Sequence, residues 1–593
     1  MDFQDLNTRR PQPGYPGAHP RREWLVSGLL LALLVSLVHG HNLAGAWRWD
    51  DGVHLSFAAT FTPFQYFFDP DITRLQSGAN LTPWNALFYD INLSLFGMDA
   101  AAHYAHMLII LWLTASLFYL VLRYWLPPVA AFAGAAAFIL GIPTLHVAAG
   151  LMHGHYATGL LLSLLAILGW IRHFERGGRI WLPLSVVAYL LAVTCKEVYV
   201  PLVLVLPFLP VASLRQRIRP WLPYIGVAMA YTAWRYLVLG RLLGGYAQGS
   251  FSYDNALRQF LNIPSLLLGG GITGLLFAAL LSLLLPIAAW RRQLAWPLVL
   301  VLAAVTLLPL IPLTAFPGIN QADRYLFMPW VALSALFAAL LPRAANGSQT
   351  AFRFIRRQRG FFTRALAVAP FVFLLSLLLT HWQGRAAIRP DLDYWDRLSR
   401  FVLTADTRRQ ALFIGADDGY KRLVLSETRR TADRIASVAD SQRLLIIDQI
   451  GTNLLQAGAG NVQIFEMLDG TIQPMTPARL AAVFPHGMHF AAGQPLTLEL
   501  RLRDKTLHWK FTPADGVYYV SPKNHPVLQT ADIGSYLPAQ GQLPWPNAKE
   551  VRLSFCRIVP EAGRIACSPV LAFDFSARES HVWSGIGQYD VPQ

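Results

Sequence analysis

Long apolar runs recur from Trp24 to His381 and then stop. That pattern marks residues 24–383 of the 593 as a domain built on membrane-crossing helices. The runs cover residues 24–42, 104–122, 127–144, 156–171, 180–194, 198–213, 221–239, 272–289, 295–314, 326–341 and 365–381. Most approach the ~20 residues that a helix needs to cross ~30 Å of hydrocarbon. The fifth and sixth are short and joined by TCKEV, residues 194–198. Only 14% of the chain is charged, against about 25% for a soluble globular protein. The expected fold is a polytopic α-helical membrane protein with about eleven transmembrane helices. Residues 24–383 form its transmembrane domain, with a first outer loop at 43–103, and residues 384–593 form a soluble domain. Residues 1–23, rich in Pro, Gly and Arg, are expected to be a disordered cytoplasmic N-terminus. They do not read as a signal peptide, because no small-residue cleavage site follows the first run and further spans do.

The formal net charge is +15, and its placement orients the chain. Residues 384–593 carry 23 basic and 21 acidic side chains, leaving 26 basic and 13 acidic in the first 383 residues. The excess lies in short segments between apolar runs, not in a patch interleaved with aromatics, so positive-inside bias explains it and nucleic acid is not an expected partner. Alternate connections hold 19 of the 26, including Arg21, Arg22, Arg123, Arg172, Arg176, Arg291 and Arg292. Those connections are read as cytoplasmic, together with the N-terminus. Eleven crossings then place 384–593 outside. The other seven, Arg48, Arg74, Lys196, Arg235, Arg241, Arg258 and Arg324, fall on the disfavoured outer side and require another reason.

The tail opens with an amphipathic segment, RPDLDYWDRLSRFVL, followed by strand-like runs: ALFIGA, RLLIID, LTLELRLR, LHWKFTP, GVYYVSP, EVRLSFCRI and VLAFDFS. Alternation in LTLELRLR and EVRLSF marks half-exposed strands, so the tail is expected to be β-rich or α+β, with a helix near 477–483. Cys556 and Cys567 flank a Pro/Gly turn in FCRIVPEAGRIACS. A disulfide closing this hairpin fits an oxidising compartment, and two reduced core thiols are the competing reading.

Candidate chemistry concentrates on the outer side. In WRWDDGVHLSFA, residues 47–58, Asp50 and Asp51 are adjacent carboxylates beside the first span. A carboxylate there can act as a general base toward a hydroxyl. Neighbouring helical positions point about 100° apart, so one Asp is expected to face the reaction. Capping of the following helix by Asp51 is the competing reading. Arg324 in NQADRYLFMP, Lys196 in TCKEV and Arg235 in TAWRYLVLGR are cations able to grip a phosphate, Arg by a bidentate fork. Their competing reading is snorkelling, or pairing with Asp323 or Glu197. His103 and His106 in HYAH, with His146, His153 and His155 at the next outer turn, suit hydrogen bonding to phosphate or sugar, or serve as polar helix ends. His54, Glu197 and Tyr325 complete the candidate substrate-binding set. No HExxH zinc-protease signature is present.

Five segments occur in order: WRWDD, LFGMDAAAHYAHMLIILWLTASLFYLVL, IPTLHVAAGLMHGH, TCKEVYVPLVLVLPF and ADRYLFMP. Together, over residues 25–340, they resemble the GT-C superfamily of glycosyltransferases, and within it the protein O-mannosyltransferase group with its transmembrane and tetratricopeptide-repeat relatives. The resemblance implies inverting transfer of a sugar from a polyprenyl-phosphate donor to an acceptor on the outer face, with an Asp of the first outer loop as base. Asp50 and Asp51 match the family's acidic pair. This chain departs from the pattern after His146, where Ala148 and Ala149 replace the usual acidic residue. It also departs near His153 and His155, where the family carries an Arg, and it lacks tetratricopeptide repeats.

The partners implied are a polyprenyl-phosphate sugar, membrane lipid, and a glycan, lipid or protein acceptor. The two Asp leave Mg²⁺ or Mn²⁺ open, and composition points to a bacterial inner membrane. Two other classes fit the topology. A lipid-linked substrate transporter or flippase would carry mid-membrane charge and paired Gly/Pro-broken spans; neither is evident. A non-catalytic, membrane-anchored glycan-binding or assembly protein would not need the intact Asp50 and Asp51.

Overall fold

The computed structural model describes residues 20–77, 79–242, 257, 263, 267, 296–310, 323–346, 359–406, 410–414, 419–437, 463–476, 478–479, 496–503, 506–512, 517–522, 535–537, 540–544, 550–559, 564–567, 571–574, 580–585 and 588–590. Of the N-terminal segment expected to be disordered at 1–23, residues 20–23 are instead the start of a helix, Pro20–His39; residues 1–19, the apolar run at 272–289, RLLIID and most of the helix expected at 477–483 lie outside the described residues. Contacts group the chain into two units, Met1–Gly45 with Pro63–Leu392, and Ala46–Thr62 with Asp393–Gln593. The division differs from the one expected at 383, because the segment carrying Asp50 and Asp51 groups with the tail sequence.

The first unit is a helical membrane assembly. Its helices are α1 (Pro20–His39), α3 (Pro63–Phe68), α4 (Pro70–Gln76), α5 (Pro83–Phe96), α6 (Ala100–Arg123), α7 (Pro128–Leu140), α8 (Ile142–Ala149), α9 (Gly154–Arg176), α10 (Trp181–Cys195), α11 (Leu202–Val205), α12 (Leu214–Leu239), α13 (Trp296–Leu307), α14 (Phe327–Asn346) and most of α15 (Arg359–Thr404). Among the described residues, five helical stretches are long and apolar enough to cross a membrane, or six if the bent pair α7–α8 is one span. The runs expected as the fifth and sixth spans are short apolar helices, Trp181–Cys195 and Glu197–Phe208, broken at Lys196. The sequence sets the boundaries locally. Asp99 caps α6 by accepting from the amides of Ala101 and Ala102 at 3.0 and 3.3 Å. Gly177, at φ +62°, ends α9 in the left-handed conformation.

The break between α7 and α8 is held by side chains from four helices. The pair bends by 55° at Gly141, where a Cβ would overlap the Trp330 indole. Bending frees carbonyls at the end of α7, and hydrocarbon offers them no water. Trp330 of α14 donates to the oxygens of Ala137 and Phe138 at 3.2 and 3.1 Å. Thr144 of α8 donates to Phe138 O at 2.6 Å. His39 of α1 reaches Ile139 O at 3.1 Å, and His381 of α15 reaches Leu140 O at 3.2 Å. The two imidazoles pack edge to face. This fixes the direction of α8, whose last turn carries His146.

The second unit combines α2 (Asp51–Thr60), the end of α15, α16 (Gly419–Ile435) and strands β1–β13. The amphipathic segment expected at 389–403 is the end of α15 itself, continuous with the preceding apolar helix. Its buried stripe, Leu392, Trp395, Leu398 and Val402, follows the 3.6-residue period. Trp395, Leu398 and Val402 pack with Leu412, Ile414, Val424 and Leu425. Strands β1 (Gln410–Phe413), β2 (Gln463–Leu468) and β3 (Thr471–Pro474) form one sheet. β1 and β2 are parallel, with α16 in the connection between them. β2 and β3 are a hairpin turned by Asp469 and Gly470, both at positive φ, the backbone that a two-residue Asp-Gly loop favours.

A four-stranded antiparallel sheet runs in the order β12 (Ser580–Gly585), β4 (Leu496–Arg503), β5 (Thr506–Thr512), β8 (Gln540–Pro544). A third sheet centres on β9 (Glu550–Val559), which pairs with β6 (Val517–Pro522), β10 (Arg564–Cys567) and β11 (Leu571–Asp574). The antiparallel register of β9 and β10 sets Cys556 opposite Cys567.

Candidate functional site

In the second unit, the WRWDDG segment is tied to α15 residue by residue. The Ala46 amide donates to Asp396 Oδ1 at 2.9 Å. Arg48 makes a two-pronged pair with the same carboxylate, Nε to Oδ1 at 2.7 Å and Nη2 to Oδ2 at 2.8 Å. The Ser399 hydroxyl donates to the Trp47 carbonyl. Trp49 then adopts φ +45°. A bulky residue in that left-handed region costs about 1–3 kcal/mol and persists only where the surroundings impose it.

The two carboxylates that follow have different environments. Asp51 is fully buried and accepts from the Arg48 amide at 2.7 Å. It is the first helical residue of α2, and the N-cap position belongs to Asp50. Capping by Asp51, one of the two readings of the sequence, is therefore not what the structure adopts. Asp50 is half-buried and its side chain makes no cap hydrogen bond, so helix capping does not consume its carboxylate. His54, one turn on, has its imidazole pKa lowered by burial, with Asp50 pulling the other way. Among the described residues, no group of three or more His, Cys, Asp or Glu is placed to hold a metal ion.

Helix α2 lies on α16. The Ser56 hydroxyl donates to the buried Glu427 carboxylate, which also pairs with Arg430 at 2.7 Å. Arg434 reaches the Ala59 carbonyl and the Thr60 hydroxyl at 3.2 and 2.8 Å. Burial raises the Glu427 pKa, and the neighbouring Arg430 and the Ser56 hydrogen bond oppose this.

In the first unit, a second set of candidates gathers around the break at Lys196. Lys196, only 7% exposed, sits 5.4 Å from the centre of the Tyr156 ring, a cation–π distance. Arg324, in the 3-10 turn Asp323–Leu326, lies over the Tyr325 ring at 5.2 Å. Arg324, Lys196 and His146 are all near enough to act electrostatically on His153. His153 Nδ1 donates to the His146 carbonyl at 2.9 Å, and the His155 ring tilts against Tyr156. The unit thus brings together Lys196, Arg324, His146, His153, His155 and Tyr156, a cationic group with aromatic walls.

Four other expected members serve the framework. Arg235 contacts the Glu197 carboxylate, the Ala79 carbonyl at 2.9 Å and the Leu242 carbonyl at 3.1 Å. Glu197 also accepts from the Leu81 amide at 2.7 Å. Arg235 and Glu197 therefore clamp residues 79–81, and pairing, the competing reading of Arg235, describes it. His103 donates to the Gly97 carbonyl at 2.9 Å, and His106 to Asn92 Oδ1 at 2.6 Å while stacking on Phe88. Both histidines anchor α6 to α5.

Sequence reasoning missed Tyr156, Asp396 and Glu427. Asp396 had a signal: it falls on the apolar stripe of RPDLDYWDRLSRFVL, where an acid needs a partner. Glu427 had little, because α16 is polar on its buried side as well.

No protein-family model matches the chain, and no curated protein does. Among solved structures, it is similar to ArnT from Cupriavidus metallidurans bound to undecaprenyl phosphate, at 13% identity and a TM-score of 0.44, covering 80% of this chain and 97% of that one. The apo state of the same protein gives 13% identity and 0.43, covering 79% and 96%. No residue role or substrate is carried over from these similarities.

Proposed function

We propose that the chain is an inverting membrane glycosyltransferase that moves a sugar from a polyprenyl-phosphate donor to an acceptor hydroxyl on the outer face of the membrane. The observation that carries the reading is the strained, anchored turn at Trp49, which presents the uncapped Asp50 carboxylate. Strain of this kind collects where a side chain must be held in a working direction. Asp50 is the general base: it takes the proton of the acceptor hydroxyl as that oxygen bonds to the anomeric carbon. The bond from that carbon to the phosphate oxygen breaks with inversion, and the polyprenyl phosphate leaves with the electron pair. Lys196 and Arg324 are assigned to the charge growing on the departing phosphate. The ordered set of sequence segments that resembles the GT-C superfamily supports the same reading, as does the collection of buried cation, histidines and Tyr156 in the first unit. Asp51 is assigned to holding the turn. No metal is assigned a step.

The test is transfer of labelled sugar from undecaprenyl-phosphate-linked hexoses into envelope material. It uses membranes containing the wild type, Asp50→Asn, Asp51→Asn or Arg324→Ala at matched protein levels. Loss of transfer in Asp50→Asn supports the assignment. Wild-type transfer that survives Asp50→Asn removes Asp50 as the base and leaves the enzyme class standing.

A further inference from the structure

We propose that Asp396 is a positioning residue for the Asp50 carboxylate, acting through Arg48; this rests on the reading of Asp50 as the base. Asp396 touches no reacting group. Its two oxygens take three hydrogen bonds from the turn, one from the Ala46 amide and two from the Arg48 guanidinium. Ser399, three residues further along the helix, takes the Trp47 carbonyl. The Arg48 amide is held in turn by Asp51. Residues 46, 47 and 48 are therefore each fixed, and the chain must reach Asp50 through Trp49 alone. Trp49 meets that demand by adopting φ +45°. Were the clamp released, Trp49 could relax to negative φ, and Asp50, next in the chain, would swing with it.

The choice of an ion pair points the same way. Arg48 is 3% exposed and Asp396 9% exposed. Taking two charges out of water offsets much of their attraction, so a buried pair is a poor means of gaining stability and a good means of specifying one geometry. A bidentate Arg–carboxylate pair fixes both distance and plane. Nothing in the apolar cluster of Trp395, Leu398, Val402 and Val424 requires a charge beside it. What the pair adds is the direction of the turn.

The experiment compares the full-length wild type, Asp396→Asn, Asp396→Glu, Arg48→Lys and Asp50→Asn in detergent. Transfer is read with undecaprenyl-phosphate-linked mannose, glucose, galactose and N-acetylglucosamine as probes, alongside thermal unfolding and hydrogen exchange over residues 46–51. We expect Asp396→Asn to lower kcat by about 10–100-fold, the loss that a misplacement of about 1 Å brings. Donor KM should stay within about 3-fold, and exchange at the Ala46 and Arg48 amides should rise. Asp396→Glu, which keeps the charge, should recover part of kcat. Faster exchange with kcat unchanged overturns the positioning role and leaves the transferase reading intact. A fall in kcat that merely tracks a fall in unfolding temperature, with no recovery in Asp396→Glu, overturns it too. If Asp396→Asn does not fold, Arg48→Lys, which keeps the charge and loses the fork, is judged by the same criteria. A wild type inactive on every probe overturns both this inference and the reading beneath it.

Discussion

A Cβ on Gly52 would overlap the carbonyl oxygen of Val424, so α2 rests on the backbone of α16 with nothing between them. The Thr428 hydroxyl closes the other side of the same contact. A methyl group there must push two helices apart. Gly52→Ala is therefore expected to destabilise the second unit by about 1–3 kcal/mol, the usual cost of overpacking. Urea unfolding followed by circular dichroism of the purified chain measures it; an unchanged midpoint would mean that α2 does not lie on α16.

The two aspartates should separate cleanly in mutation. Asp50→Asn removes a base and leaves the turn, so unfolding should be near wild type while kcat falls about 10²–10⁴-fold, the range for loss of general-base catalysis. Asp51→Asn weakens the hydrogen bond from the Arg48 amide inside a buried turn. It should lower stability by about 1–2 kcal/mol and reduce transfer only as far as the turn loosens. The opposite pattern, an inert Asp50→Asn and a folded, inactive Asp51→Asn, would move the base by one residue.

Among the candidate phosphate-binding cations the same logic predicts two kinds of defect. Lys196→Ala and Arg324→Ala should cost about 10²–10³-fold in kcat, as expected when a group facing developing charge is removed. Arg235→Ala should mainly destabilise, because it strips Glu197 of its cationic partner and frees the carbonyls of Ala79 and Leu242. Parallel transfer assays and melting curves distinguish the two. A stable Arg235→Ala that has lost donor binding would return Arg235 to the phosphate.

Much of this arrangement could be read from the sequence, and the rest could not for identifiable reasons. The strands LTLELRLR and EVRLSFCRI are local signals, and each lies where its alternation put it. The Asp469-Gly470 hairpin was equally local and was overlooked among stronger runs. The partners of Arg48 and Ser56 lie 348 and 371 residues away, so no window along the chain joins them. The broken span is intermediate. Gly141-Ile142-Pro143 marks an interruption, but the caps come from α1, α14 and α15. Arg235 was misleading because a cation beside an apolar run looks the same whether it awaits a phosphate or has Glu197.

Those caps on α7 make a stability prediction. His381→Phe keeps an aromatic ring beside His39 and leaves the Leu140 carbonyl without its donor. A buried group left unsatisfied costs about 1–3 kcal/mol, and hydrocarbon makes escape to water harder. Thermal unfolding in detergent should show the loss, whereas His381→Gln, which retains a donor, should recover part of it. Equal stability of Phe and Gln variants would mean that the carbonyl finds another partner.

The facing cysteines test the compartment assigned to the tail. Antiparallel neighbours have Cα atoms about 4.5–5.5 Å apart, within the span that a disulfide bridges, and Cys556 and Cys567 hold that register. With the tail outside the membrane, peptide mapping without reductant should recover the two linked. Labelling of both by a thiol reagent before reduction would place them in a reducing compartment.

The buried carboxyl of Glu427 gives the contact between α2 and α16 a pH dependence. Its pKa is raised above the ordinary 4.5, chiefly by burial. A carboxyl of this kind contributes its full stability below the ordinary value, where it is protonated whether the chain is folded or not. That contribution is lost as pH rises through the higher folded value, because the folded chain must then hold a buried charge. Arg430 and the Ser56 hydroxyl reduce the loss without abolishing it. The unfolding temperature of the second unit should therefore fall as pH is raised from 4.5 toward neutrality, once the titration of other groups is subtracted with Glu427→Gln. That variant keeps an acceptor for Ser56 and never ionises, so its profile should be flatter than that of the wild type over this interval. Superimposable profiles would mean that Glu427 ionises as readily in the folded chain as in the unfolded one, and that the contact is insensitive to pH.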